Sequence, residues 1–76
     1  MKAEIYSKDL CPYCDRAKAL LSSKHIEFTE FKIGRDLTRE EFLERFPNAR
    51  TVPQIYLNEQ YIGGYDNLVD HFSSLS

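Results

Sequence analysis

Short alternating runs and longer helix-period runs of apolar residues take turns along this chain. Alternation over Ala3 to Ser7 predicts a first strand, after which Lys8-Asp9-Leu10 carries the chain to Cys11 at a helix start. Pro12 fits the first helical turn, where its missing N–H leaves no bond unmade. From there Cys14, Ala17 and Leu21 fall at i, i+3 and i+7, with Leu20 close by, so one face is apolar and the helix should end near Ser23-Lys24. Ile26 and Phe28, then Phe31 and Ile33, alternate in two stretches that are out of phase. They predict a second strand with a bulge or boundary near Thr29-Glu30. Strand, helix and strand within about 33 residues make a βαβ unit, which implies parallel pairing and a right-handed crossover.

The second half repeats the alternation with different stops. Thr38-Arg39-Glu40-Glu41 has the form of a capping box ahead of the apolar stripe Phe42, Leu43 and Phe46, and Pro47 ends that helix. Gln54 to Leu57 and Tyr61-Ile62, on either side of Asn58-Glu59-Gln60, predict a hairpin. Gly63-Gly64 break the pattern, and Asp66 or Asn67 is the expected cap of a last helix carrying Leu68, Val69, Phe72 and Leu75. The order is β-α-β-α-β-β-α.

Composition narrows the class. At 76 residues, residues 1–76 read as one domain, and 42% hydrophobic residues with 3 Gly and 3 Pro are ordinary for a globular chain. Ten Lys and Arg against 12 Asp and Glu leave a net charge of -2, with both signs scattered, so nothing forms a phosphate-binding footprint and nucleic acid is not an expected partner. The start, Met1-Lys2-Ala3-Glu4, is too polar for a signal peptide, and no apolar run approaches the roughly 18 residues of a membrane span. The expectation is a cytoplasmic protein without membrane attachment.

The two cysteines carry the candidate chemistry. Cys11 and Cys14 enclose only Pro12 and Tyr13, and a bridge across so short a loop restricts the unfolded chain little. In a reducing compartment such a pair is catalytic or metal-binding rather than a staple. A zinc site would need more ligands, and His25 and His71 lack the usual spacing, so no metal is expected. At a helix start, Cys11 would face unpaired N–H groups and the positive end of the helix dipole, with Lys8 upstream, which favours its thiolate; Asp9 works against this if it points the same way. Cys14, one turn on and on the apolar face, stays protonated until a disulfide presents itself. That asymmetry makes an exposed Cys11 the nucleophile and a sheltered Cys14 the resolving thiol.

Three motifs then give the chain its likeness: Cys11-Pro12-Tyr13-Cys14 preceded by Lys8, Thr51-Val52-Pro53, and Gly63-Gly64-Tyr65-Asp66-Asn67. Over almost its whole length the sequence resembles the glutaredoxin family, in its dithiol class. The resemblance implies a thioredoxin-like α/β fold, a four-stranded mixed sheet flanked by helices, with the site at the carboxyl end of the first strand. It implies a glutathione-dependent thiol–disulfide oxidoreductase with no tightly bound cofactor and with glutathione as co-substrate. It further implies a cis bond before Pro53, pairing of the Val52 backbone with the cysteinyl part of glutathione, and a γ-glutamyl site at Gly64, Asp66 and Asn67. Lys8 would face the glycyl carboxylate, Tyr13 would flank the mixed disulfide, and Thr51 and Pro53 would complete the groove.

Departures from the family pattern leave matters open. Tyr65 is bulky where the family often has a small residue, so it alters access to the groove or stacks on a ligand, and a further basic contact has three candidates, Arg35, Arg39 and Arg50. The implied partners are glutathione and disulfide-bonded or glutathionylated proteins, with a ribonucleotide reductase as a family-level guess and a monomer as the default. Two other readings are a redoxin served by a thioredoxin-reductase-like flavoenzyme and a [2Fe–2S] carrier, the latter disfavoured by the stiffening Pro12.

Overall fold

The structure is a computed structural model that describes residues 1–49 and 51–74. Two expectations, Arg50 as a basic contact and Leu75 on the last helix, lie outside the described residues. The elements run β1 (Lys2–Ser7), α1 (Pro12–Ser23), β2 (Glu27–Lys32), α2 (Arg39–Arg45), β3 (Gln54–Leu57), β4 (Gln60–Gly63) and α3 (Tyr65–Ser73). The sheet order is β2-β1-β3-β4. β1 lies parallel to β2 and antiparallel to β3, and β3 is antiparallel to β4, so the sheet is mixed as expected.

The sheet is apolar on both faces, and the side-chain alternation of each strand decides which residue serves which. On one face Ala3, Ile5, Ile55 and Leu57 meet Ala17 and Leu21 of α1 and Leu68 of α3. On the other, Tyr6 meets Phe42 and Phe46 around α2, with Phe31 and Tyr56 packed alongside. This explains β2 without a bulge. Its register against β1 is unbroken from Lys2↔Glu27 to Ser7↔Lys32. Phe28 and Phe31, an odd number of residues apart, point to opposite faces, and each finds a core there. The out-of-phase pattern marks a strand covered on both sides, and the expected irregularity near Thr29-Glu30 is absent.

Local chemistry fixes the ends. α1 closes as a Schellman motif: Ile26 N–H donates to Leu21 O at 3.0 Å and His25 N–H to Ser22 O at 3.0 Å. Ile26 and Leu21 then meet in the core, while His25 takes the left-handed position at φ 58°. The β3–β4 turn is tighter than expected, with Asn58 and Glu59 both at positive φ and Gln60 already in β4, the two-residue geometry that suits twisted hairpins. Asn58 also ties that turn to the start of β1, since its N–H donates to Lys2 O at 2.8 Å and its Oδ1 accepts from Lys2 N–H at 3.0 Å.

Candidate active site

Cys11 is the N-cap of α1, Pro12 its first residue and Cys14 its third, so both sulfurs sit where β1 delivers the chain to the helix. The Cys14 N–H donates to Cys11 Sγ at 3.2 Å, and that sulfur lies 3.8 Å from the Val52 carbonyl oxygen. The two cysteines are joined as a disulfide with Cα atoms 5.2 Å apart. Cys11 is 8% exposed and Cys14 1%, which corrects the expectation of an exposed nucleophile. Turned toward Cys14 and Val52, Cys11 keeps only a narrow opening, yet it remains the more reachable of the pair.

Charges near the sulfurs are placed favourably. Asp9 is drawn to Lys32 Nζ at 3.0 Å, so its charge is partnered on β2. Asp15, in the first turn of α1, has Lys18 Nζ at 3.6 Å. Behind the helix, Glu30 Oε2 accepts from the buried Ser7 hydroxyl at 2.6 Å and from Lys18 Nζ at 2.9 Å. The Ser7 hydrogen bond, then Lys18, hold the Glu30 carboxyl below the usual carboxylate range. Its hydrogen bond to Glu30 in turn raises the Lys18 ammonium. This network clamps α1 to β1 and β2.

The other two motifs converge on the same place. The Val52–Pro53 peptide bond is cis. Thr51 O accepts from Gln54 Nε2 at 2.9 Å, and Gln54 Oε1 accepts in turn from the Tyr61 hydroxyl. Gly63 sits at φ 120°, where a Cβ would come within 2.7 Å of Asn67 Oδ1. The cap of α3 differs from the expectation. Gly64 is the N-cap, and Asn67 at the third helical position reaches back to accept from the Gly64 N–H at 3.1 Å. Asp66 is therefore not spent on capping and stands exposed in the first turn.

A cavity of about 800 Å³ joins these pieces, and Tyr13, Thr51, Val52, Pro53, Gly64, Asp66 and Asn67 all line it. Lys8 lies elsewhere: it lines a second cavity of about 370 Å³ with Arg39, Thr51 and Val52. Thr51 and Val52 border both, so the two cavities meet across that segment. Of the basic candidates, Arg39 joins Lys8, whereas the Arg35 guanidinium is turned to Asp36, 2.7 Å from its Oδ2. Tyr65 packs against Tyr13 with ring centroids 5.9 Å apart and ring planes tilted by 39°, and Arg16 lies 5.4 Å from the Tyr13 ring centre. Arg45, Phe46, Gln54, Tyr56 and Tyr61 also line the larger cavity and formed part of no sequence motif.

Among the described residues no helix is long and apolar enough to cross a membrane, and no group of three or more His, Cys, Asp or Glu side chains is arranged to hold a metal. The family model described as Glutaredoxin matches residues 3–62. Glutaredoxin 3 of Escherichia coli (strain K12) is 54% identical over 66 residues, covering 86% of this chain and 78% of that protein. Among solved structures, Glutaredoxin 1 from Francisella tularensis, complexed with cacodylate, superposes with a TM-score of 0.83 at 30% identity, covering 97% of this chain and 94% of its own. Reduced Escherichia coli glutaredoxin gives 0.76 at 31% identity, covering 97% and 95%. These matches give no support to a flavoenzyme-served redoxin or a [2Fe–2S] carrier.

Proposed function

The chain belongs to the glutaredoxin family and is a glutathione-dependent thiol–disulfide oxidoreductase; from that premise we propose that Cys11 is its nucleophile, Cys14 its resolving thiol, and the groove beside Val52 its glutathione site. In the reduced enzyme the Cys14 N–H and the start of α1 stabilise a Cys11 thiolate, because a negative sulfur is a better acceptor than a thiol and lies at the positive end of the helix dipole. The thiolate attacks the glutathionyl sulfur of a mixed disulfide, the substrate thiol departs, and Cys11 is left glutathionylated. A free glutathione thiolate then attacks the glutathionyl sulfur, giving glutathione disulfide and restoring the Cys11 thiolate. With an internal disulfide as substrate, Cys11 forms a mixed disulfide with one substrate sulfur, and Cys14 attacks Cys11 Sγ to release the reduced substrate. The oxidised pair is returned to dithiol by two glutathiones.

The observation that carries this reading is the placement of Cys11 Sγ, 3.2 Å from an N–H at a helix start and 3.8 Å from the Val52 carbonyl on the wall of the groove. Val52 offers its backbone to the cysteinyl part as an added strand would. Asp66 with Gly64 and Asn67 receives the γ-glutamyl end, where the helix N-terminus suits its carboxylate and Asp66 its ammonium. Lys8 and Arg39 receive the glycyl carboxylate from the adjoining cavity, with Thr51 and Pro53 shaping the passage between. We read the protein as a single-domain monomer acting in the reducing cytoplasm on glutathionylated and disulfide-bonded proteins, with a ribonucleotide reductase as one candidate acceptor. The test is reduction of a glutathionylated small disulfide coupled to glutathione reductase and NADPH. Wild type and Cys14→Ser should turn over and Cys11→Ser should not; an active Cys11→Ser overturns the assignment.

A further inference from the structure

α2 has only seven residues and ends at its C-cap Phe46, beside the paired β3 and β4 residues Tyr56 and Tyr61. At that place the rings of Phe46, Tyr56 and Tyr61 form a closed set, with centroids 6.0 Å apart for Phe46–Tyr56, 5.8 Å for Phe46–Tyr61 and 5.5 Å for Tyr56–Tyr61. Phe46 is buried, but Tyr61 is 51% exposed, a large aromatic surface given to solvent on an edge strand. These three rings line the same cavity as Val52 and Pro53, so the aromatic end and the groove along Val52 are one continuous space.

We propose that this aromatic end is a subsite for the polypeptide substrate of the dithiol route, taking an aromatic or large aliphatic side chain of an extended segment whose disulfide Cys11 attacks. The inference rests on the assignment of Cys11 as nucleophile. Three features support it. The cavity, at about 800 Å³, is at the upper end of the range for single-ligand sites, roughly 300–1,000 Å³, and extends beyond the residues assigned to glutathione. Its other end is bordered by the starts of α1 and α3, where the Tyr13 and Tyr65 rings, packed against each other, form a wall, so a segment longer than a tripeptide has its room on the α2 side. And two of the polar side chains there are already engaged: the Gln54 amide is held by Thr51 O and the Tyr61 hydroxyl, and Arg45 Nη1 donates to the Tyr6 hydroxyl at 2.7 Å. The exposed ring of Tyr61 is left to be covered, which an apolar side chain does and a small polar one does not.

In the reaction Cys11 thiolate attacks one sulfur of the peptide disulfide, forming a Cys11–peptide disulfide and releasing the other sulfur as a thiolate. Cys14 thiolate then displaces the peptide, leaving a peptide dithiol after protonation and an oxidised Cys11–Cys14 pair that two glutathiones reduce. The subsite acts while the peptide is tethered or docked, so its effect belongs in KM for the peptide. Glutathionyl substrates do not use it.

The test compares two synthetic peptides that each close an internal disulfide and differ only in carrying Phe or Gly at the second position on either side of it. Turnover is followed with glutathione, glutathione reductase and NADPH, beside glutathionylated 2-mercaptoethanol. Half-burying one Phe is expected to favour the Phe peptide about ten-fold in kcat/KM. Tyr61→Ser should abolish that preference, and Tyr61→Phe, which keeps the ring and loses the bond to Gln54, should retain it. Both variants should turn over glutathionylated 2-mercaptoethanol as wild type does. Equal rates on the two peptides with wild type, or a preference that survives in Tyr61→Ser, overturns the subsite. So does a Tyr61→Ser enzyme equally slow on glutathionylated 2-mercaptoethanol, since Tyr61 would then act by steadying Thr51 through Gln54. Failure of the underlying assignment looks different: wild type would not turn over glutathionylated 2-mercaptoethanol, or Cys11→Ser would.

Discussion

Removing the Glu30 carboxylate should loosen α1, the helix that carries both cysteines. The buried Ser7 hydroxyl donates to Glu30 at 2.6 Å and Lys18 donates to the same oxygen at 2.9 Å, with the Glu30 and Lys18 side chains only 20% and 27% exposed. Glu30→Ala leaves Ser7 buried without a partner, about 1–3 kcal/mol, and deletes an ion pair contributing roughly 0.5–1 kcal/mol. The expected loss is about 2–3 kcal/mol, and at roughly 4–8 °C per kcal/mol for a domain of this size Tm should fall by about 10–20 °C. Ser7→Ala in the Glu30→Ala background should then cost little, because the orphaned hydroxyl leaves with it. The pH dependence carries a definite sign. Glu30 titrates lower in the folded protein than its ordinary 4.5, so its stabilisation is present in full above that value and is lost as pH falls through the folded value. Denaturant unfolding of wild type and Glu30→Ala at pH 7 and in acid checks both parts. A difference under about 0.5 kcal/mol at pH 7, or one that stays constant into acid below the folded value, would refute the clamp.

Three further perturbations follow from single observations. His25 holds the left-handed position of the Schellman motif, where an L-residue is disfavoured by roughly 1–2 kcal/mol, so His25→Gly should stabilise by about 1 kcal/mol net of chain entropy in thermal unfolding. Gly63→Ala combines a φ of 120° with a Cβ 2.7 Å from Asn67 Oδ1; it should destabilise by about 2 kcal/mol and, by displacing the start of α3, raise KM for glutathionyl substrates. Arg39→Ala should raise KM for glutathione about two- to five-fold at low salt with kcat unchanged, an effect that shrinks as salt is added, whereas Arg35→Ala, already committed to Asp36, should not; equal effects of the two in steady-state kinetics would sink the carboxylate assignment.

Much of this was legible in the sequence because local rules and tertiary structure agree. The stripe Cys14, Ala17 and Leu21 is the buried face of α1, and Thr38 with Glu41 forms the capping box its spacing predicts. Where reading failed, the missing information was tertiary. The phase change in β2 looks like a bulge in one dimension, because nothing local says that a sheet is covered on both faces. Cys11 looked exposed because its position at a helix start is local, while the Val52 segment that covers it arrives 41 residues later. Gly64 lost the expected cap to Asp66 or Asn67 on paper because a glycine has no capping side chain, yet the Asn67 side chain supplies the bond from the other direction. Arg39 could not be separated from Arg35 without knowing that Arg39 borders the smaller cavity while Arg35 turns to Asp36, and the Phe46–Tyr56–Tyr61 set joins residues from α2's end, β3 and β4 that share no motif.

The three helix starts show why the cysteines stand three apart. In α2, Thr38 Oγ1 accepts from the Glu41 N–H at 3.1 Å while Glu41 Oε1 accepts from the Thr38 N–H at 2.9 Å. In α3 the reach from third residue to cap recurs as Asn67 to Gly64. α1 uses the same N-cap and third position, but with sulfur: Cys11 Sγ accepts from the Cys14 N–H, and the side chain at the third position bonds covalently to the cap's side chain instead of reaching its N–H. The spacing that lets a helix satisfy its own first N–H groups is therefore the spacing that brings two thiols into bonding range. One N–H thus serves two ends. It caps the helix, and it places a donor against Cys11 Sγ, so with Cys11 as the proposed nucleophile the group that stabilises the fold at this point also favours its thiolate.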